Sequence, residues 1–393
     1  MRILTRYVLI ELAKVFLISL AGLTMLMIVV GIVREAAMQS LPLGQVVWLI
    51  PYILPDALRV AVPVTLLLAT TSVYGRMSGA NEVVAVKAMG ISPMVIVRPT
   101  IIVAILLSLV TVWLNDLAVS WGRNGARRVV IEAVEEIVYA MLKANRSYTT
   151  KNFSIHVRSV DGRRLIRPTL TVNTGDRGPM TVMAEEAEIT ADHAQRLLRI
   201  KLRNFEGSVK NGSFYINDAD EYVISLDEAS KAQSEGTAPS WLAMWQIPQR
   251  EEMQRKKVAE TEQEMAARAA YQMLCGDFED LTSEEWTKRA DWLTEQRQQL
   301  CRLQTEPHRR WSAGFSCLCF AWIGVPMAIR RRNRDFLTSF FMCFLPILIV
   351  YYPLLAFSVD GAKNGALPPY AVWLGNLLLA LWGAVLMRRV VRY

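Results

Sequence analysis

Histidine and cysteine are scarce in this chain. Its three histidines, His156, His193 and His308, are scattered, and its five cysteines form no Cys-x-x-Cys pair and no zinc-like spacing, so no metal site is legible. Cys317, Cys319 and Cys343 lie inside apolar runs and read as small packing residues. Cys275 and Cys301 fall in polar sequence, where an oxidising compartment could join them. Also missing are His-Glu-x-x-His, Gly-x-Ser-x-Gly and Gly-x-x-x-x-Gly-Lys-Ser/Thr, the signatures of zinc proteases, serine hydrolases and phosphate-binding loops. The sequence therefore offers no catalytic residue and no cofactor site, and any ATP-driven work would have to be powered by another subunit.

Apolar residues are plentiful. Of 393 residues 52% are hydrophobic and 20% charged, and the mean hydropathy is +0.23. The chain is too apolar for an ordinary soluble protein and too charged to lie wholly in a membrane. Its net charge of +8 raises nucleic acid as a partner, but the basic residues cluster at the ends of apolar runs, which argues for a bilayer instead.

A helix needs about 20 mainly apolar residues to cross a hydrocarbon core about 30 Å thick. Six stretches qualify: Leu12 to Val33, Val46 to Val73, Met94 to Val119, Trp311 to Ile329, Phe336 to Val359 and Pro368 to Met387. The first is too long for the apolar part of a signal peptide and reads as a retained span. Arg2, Arg6, Arg76, Lys87, Arg98, Arg330, Arg331, Arg332, Arg334, Arg388, Arg389 and Arg392 all fall on one side, whereas the short loops opposite hold only Arg34 and Lys363. The positive-inside rule then places both termini in the cytoplasm and the large middle segment outside it.

That middle segment alternates polar and apolar residues, as in Asn152 to Val160 and Arg199 to Arg203, the period of half-buried strands. Asp161-Gly162 and Asn211-Gly212 supply hairpin turns. An antiparallel sandwich or open barrel follows. From Gln249 to Gln304 the sequence turns to Glu, Gln, Arg and Ala, broken at Gly276 and Thr282-Ser283. Two polar or amphipathic helices are expected there, with Met265, Leu274, Trp286, Leu293 and Leu300 packing on the neighbouring sheet. The domains are thus 1–121 (three spans), 122–308 (an external sheet domain with a helical part at 249–304) and 309–393 (three spans).

Between the second and third spans lies a short helical segment at about 78–92. Asn81 can cap it, Glu82 sits in its first turn, Lys87 lies towards its end and Gly90 can close it. The segment reads either as a plain surface helix or as a coupling helix that docks into a soluble partner. Charges at membrane depth are costly and point to function. Arg34 ends the first span, where it either meets a lipid phosphate or snorkels to the interface. Asp56 and Arg59, three apart on one helical face, fit mutual neutralisation, with substrate contact as the second reading. Glu11 and Lys14 repeat that spacing near the membrane surface.

Asn81 to Ser92 runs small-Glu-aliphatic, four further residues, then Ala-x-Gly-aliphatic-Ser. Together with Arg6-Tyr7 and Glu11, Tyr351-Tyr352, Leu367-Pro368-Pro369 and Trp373-Leu-Gly-Asn-Leu377, this segment resembles the LptF/LptG permeases of the lipopolysaccharide-export ABC transporter. Two features depart from that pattern: Gly375 stands where the family often has proline, and the 249–304 stretch is longer than a compact external domain requires.

The resemblance implies a membrane helical bundle with an inserted extracytoplasmic antiparallel β-jellyroll-like domain and a helical extension. It further implies a permease, not an enzyme, that extracts lipopolysaccharide or a related glycolipid from the outer leaflet of the inner membrane. Implied partners are a cytoplasmic ABC ATPase dimer, a second LptF/LptG-type permease, a single-span periplasmic jellyroll protein (LptC-like) and a bridge protein (LptA-like), with no nucleic acid. Glu82 would be the main ATPase contact, flanked by Arg76 and Lys87 and followed by Gly90; Arg34 and Arg59 would meet the lipid. The alternative function is a permease-like mechanotransmitter that relays ATPase motion without passing lipid.

Overall fold

The computed structural model describes the chain except residues 1, 40–42, 124, 127–128, 130–133, 150–152, 174–178, 193–196, 210–211, 217–219, 226–237, 277, 280–282, 332–335 and 393. Asn152, His193, Asn211, Thr282, Arg332 and Arg334, named above, lie outside the described residues. Six helices are long and apolar enough to cross a membrane: Ile3–Arg34, Trp48–Gly79, Met94–Arg123, Glu284–Arg330, Thr338–Lys363 and Pro369–Val391. They agree with the six stretches read from hydropathy. By contacts the chain divides into two units, one of Met1–Met27, Pro55–Ser120 and Leu242–Tyr393, the other of Ile28–Leu54 and Trp121–Trp241.

The helical unit is organised around one long helix. The helices are α1 (Arg2–Gln39) and α2 (Leu43–Gly79), whose Ile28–Leu54 portion falls in the other unit, then α3 (Glu82–Ala88) and α4 (Met94–Leu117). After α5 (Val134–Asn145), which belongs with the sheet, come α6 (Ile247–Cys275), α7 (Glu284–Arg331), α8 (Phe336–Pro346), α9 (Tyr352–Lys363) and α10 (Leu374–Arg392). The apolar window of α7 is 72% buried while that of α1 is only 6% buried. Small residues let α7 sit close to its neighbours, because hydrocarbon gives no hydrophobic drive and close backbone approach must supply the contact. A Cβ at Gly324 would stand 2.9 Å from Leu67 on α2, and one at Gly375 would stand 3.0 Å from the Tyr351 ring. Gly375 therefore gives the Tyr351 ring room that a proline Cβ would take up, pressing the ring aside by a few tenths of an ångström. Pro346 and a π-helical turn over Ile347–Tyr351 interrupt the fifth span, an irregularity with an identifiable cause.

α6 and α7 bear out the two helices expected over 249–304. Gly276, with φ at 72°, ends α6 in the left-handed region that glycine adopts without a Cβ clash. Gln254 donates to Gln296, and Arg297 pairs with Glu262 at 2.8 Å. These partners lie within the helical unit. Cys275 and Cys301 are both free thiols. Cys301 lies roughly 25 Å along α7 from its start, at about 1.5 Å per residue, beyond disulfide reach of a thiol at the end of α6.

The second unit holds nine antiparallel strands in a curled, half-barrel, jellyroll-like sheet: β1 (Ser147–Thr149), β2 (Phe153–His156), β3 (Ser159–Asp161), β4 (Arg164–Ile166), β5 (Thr169–Asn173), β6 (Pro179–Asp192), β7 (Leu197–Val209), β8 (Gly212–Ile216) and β9 (Asp220–Ser225). Gly162 (φ 59°) makes the β3–β4 turn expected from Asp161-Gly162. The long pair β6–β7 forms the spine. One edge of β6 takes β5 and then β4, and the far edge of β7 takes β9 and β8. Between them the ladder skips Glu185 and Asn204. Asn204 has φ at 48° and its amide donates to the Glu185 carboxylate at 2.8 Å, a kink that lets the sheet curl. Inside lie Ile155, Leu165, Leu170, Ile189 and Leu198, closed over by Val138 and Leu142 of α5.

Tyr139 donates to the Arg163 carbonyl at 2.7 Å and accepts from the Ile189 N–H at 2.9 Å, and burial raises its phenol. Burial likewise pushes Tyr148 from 10.0 up to about 12. The neutral phenol is the form the fold favours, so this stability is complete below pH 10 and is lost as pH rises from 10 towards 12. The loss reaches about 2–3 kcal/mol for Tyr148. Tyr148→Phe should make the alkaline loss of hydrogen-exchange protection in the sheet visibly shallower.

Candidate coupling site

The segment singled out in the sequence is built on the last turn of α2. Ala80 donates its N–H to the Arg76 carbonyl at 2.9 Å and Asn81 to Ser78 at 3.1 Å, and the chain then enters α3. Asn81 does not cap α3 with its side chain as expected. It takes φ at 59°, a left-handed conformation that asparagine tolerates, and it is its carbonyl that accepts from Ala85. Gly90 closes the helix at φ 74°, its N–H bonded to the Lys87 carbonyl.

One face of α3 is buried and the other is not. Val83 and Val86 join a core with Val73, Tyr74, Met77, Ile96 and Val325. Three polar contacts brace the base: Ser78 Oγ donates to the Ile329 carbonyl at 2.6 Å, Tyr74 Oη to the Ile96 carbonyl at 2.9 Å, and Lys87 Nζ to the Val390 carbonyl at 2.9 Å. Arg76 pairs with Glu11 at 2.6 Å. Two of the basic residues expected to flank a partner contact therefore turn to their own bundle. Half-exposed Glu82 forms no ion pair among the described residues, and Val84 and, at the end of the helix, Met89 are exposed. These two apolar residues were not singled out in the sequence. Their signal is a Val-Val-Ala-Val run in which only the alternate faces of one short helix can be buried at once.

The charges at membrane depth separate. Asp56 and Arg59 meet at 2.6 Å, the mutual neutralisation read from their spacing. Arg34 is exposed at the end of its span. It belongs to the sheet-bearing unit and Arg59 to the helical one. Exposed apolar residues line the first span at Leu17, Ile18 and Met25 and the fifth at Phe341, Leu345 and Ile349.

A second polar cluster lies at the opposite end of α4 from Met94. Arg310, 2% exposed, donates to Glu306 Oε1 at 3.2 Å, to Asp116 Oδ1 at 3.1 Å and to the Leu242 carbonyl at 2.6 Å. Asp116 Oδ1 also accepts from the Met244 N–H at 2.7 Å, and Glu306 receives Arg309. Sequence reading missed this cluster. Its signal was the placement of Asp116 and Glu306-x-x-Arg309-Arg310 at the edges of two apolar runs. Among the described residues no three His, Cys, Asp or Glu side chains gather to hold a metal ion.

The family model described as lipopolysaccharide export system permease LptF/LptG matches residues 6–389, a range that takes in the coupling segment, every span and the sheet. No individual curated protein matches the chain.

Proposed function

The chain belongs to the LptF/LptG family of lipopolysaccharide export permeases, and from that premise we propose that it is the inner-membrane subunit through which an ATPase drives lipid out. Both termini and α3 face the cytoplasm, in line with the basic residues at that end of the spans. The sheet domain is periplasmic. ATP is bound and hydrolysed by a separate cytoplasmic ABC ATPase dimer.

The observation that carries this reading is the two-faced α3. Its first turn carries half-exposed Glu82, free of internal ion pairs among the described residues, and Val84 and, just past its end, Met89 are exposed. Such a knob, apolar with one charge, suits a socket on a soluble partner. Lys87 ties α3 to the end of α10, and Ser78, in the last turn of α2 just before α3, ties that base to the end of α7, so a push on α3 is delivered to the fourth and sixth spans.

Lipopolysaccharide, or a related glycolipid, enters sideways from the outer leaflet between this permease and a second LptF/LptG-type permease, against the bare faces of the first and fifth spans. Arg34 offers its guanidinium to a lipid phosphate, which a planar two-pronged donor suits. Arg59, already paired with Asp56, is the weaker candidate. The cargo then passes to a continuous β-bridge, to which the open edges of β8 and β9 add strands of an LptC-like and then an LptA-like partner.

Glu82→Ala in the reconstituted complex tests this. Loss of a charge-assisted contact should weaken ATPase association at least about tenfold and lower lipid release in parallel. Unchanged association and release would overturn the assignment of α3.

A further inference from the structure

Along α1, Val8, Glu11, Leu12 and Val15 fall three and four apart, hence on one face. Val8 and Leu12 are buried, and Val8 packs in the core that holds Val73, Tyr74 and Met77 of α2, with Leu4 and Val15 leaning on it. Glu11 belongs to the same stripe. Its carboxylate meets the Arg76 guanidinium at 2.6 Å, and Lys14, on its own helix, at 3.5 Å.

Arg76 is doubly placed. Its carbonyl accepts the Ala80 N–H that opens the turn into α3, while its side chain reaches α1. Farther along, α1 leaves most of its apolar surface bare: its apolar window is 6% buried, and Leu17, Ile18 and Met25 are all exposed. Fully buried Val8 and Leu12 lie in its first turns, while beyond them Phe16 and Leu20 lean on the core of Val62, Leu66 and Ala104. The ion pair of Glu11 with Arg76 is partly in solvent, with side-chain exposures of 20% for Glu11 and 56% for Arg76. Such a pair adds little to stability; what it supplies is a link between two helices, made by one contact from Arg76 Nη2 to Glu11 Oε2 that a cation of similar reach can also make.

We propose that Glu11 is a positioning residue: through Arg76 it ties the first span to the coupling segment, so that displacement of α3 swings α1. This rests on the reading of α3 as the part that receives ATPase motion. It reassigns Arg76 from partner contact to tether, and it couples sideways entry of lipid along α1 to the ATP cycle.

The test uses the whole reconstituted transporter in vesicles containing lipopolysaccharide, with Glu11→Gln, Arg76→Gln and Arg76→Lys. Lipid released per ATP hydrolysed should fall about three- to fivefold in the first two, with hydrolysis itself little changed, and Arg76→Lys should restore most of it. A second arm places spin labels at Leu17→Cys and Ile102→Cys, with Cys275 and Cys301 replaced by serine. ATP should shift the distance distribution in the otherwise unaltered chain and in Arg76→Lys, and should leave it in place in Glu11→Gln. A Glu11→Gln shift equal to that of the parent, no ATP-dependent shift in the parent, or an Arg76→Lys as uncoupled as Arg76→Gln overturns the tether. A parent complex that hydrolyses ATP without releasing lipid strikes the export reading instead, and the distance arm still decides the tether.

Discussion

Arg310→Ala should destabilise the helical unit by about 3–5 kcal/mol, the usual cost of removing one partner from a buried charge cluster. Arg310 is 2% exposed and Glu306 1% exposed, so neither can turn to water when the other is lost. Three acceptors from separate parts of the chain lose their donor at once: Glu306 on α7, Asp116 on α4 and the carbonyl of Leu242. Arg309 still faces Glu306 and the Met244 N–H still faces Asp116, which keeps the loss at the scale of one buried partner instead of collapse of the whole cluster. Arg310→Lys retains the charge, but a single ammonium cannot serve three acceptors at guanidinium geometry, so about half of the loss should remain. Denaturant unfolding of the purified chain in detergent measures both variants. A change within about 0.5 kcal/mol, as for an ordinary surface residue, would contradict the role given to Arg310.

The second large effect concerns packing. Gly314→Leu should cost about 3 kcal/mol, the upper end of the range for overfilling a packed core. A Cβ there would stand 2.3 Å from Val112 Cγ2, 2.9 Å from the Val112 backbone nitrogen and 3.1 Å from the Ser108 carbonyl. Two of those three neighbours are main chain and cannot turn aside, so α4 and α7 would have to part. Separating them also strains the hydrogen bond from the Leu318 N–H to Ser108 Oγ at 3.1 Å. Gly22→Ala makes the contrasting control. Nothing lies within 4 Å of a Cβ at Gly22, and alanine favours the helix by up to about 1 kcal/mol over glycine. Unfolding midpoints of the two variants should therefore move in opposite directions.

Much of this architecture is written locally. Spans are legible because about 20 apolar residues suffice to identify one, and strands because alternation in Arg199 to Arg203 is itself the pleat. Gly90 and Gly276 read correctly because positive φ is a property of the residue as much as of its surroundings. Asn81 misled, since the same side chain serves both as a cap and as a left-handed residue, and only the turn from α2 decides which. The kink at Glu185 and Asn204 depends on which strands share an edge, and no local pattern encodes that. Arg310 finds Asp116 across 194 positions of sequence, so the clearest buried charge in the helical unit was invisible as a cluster although each of its members stood in plain view. The outward face of α3 lies between these cases. Glu82 was legible, whereas Val84 and Met89 could not be told from Val83 and Val86 until the helix had a side to bury.

In the proposed function, lipid passes along the spans of this protein and is not merely moved elsewhere by their motion. Photocrosslinking from position 34, in the reconstituted transporter during ATP turnover, tests it most directly. Export along this chain predicts a lipopolysaccharide adduct that grows with ATP hydrolysis and disappears in Glu82→Ala. No adduct under turnover, with lipid still released, would contradict it and leave the protein as a relay of ATPase motion.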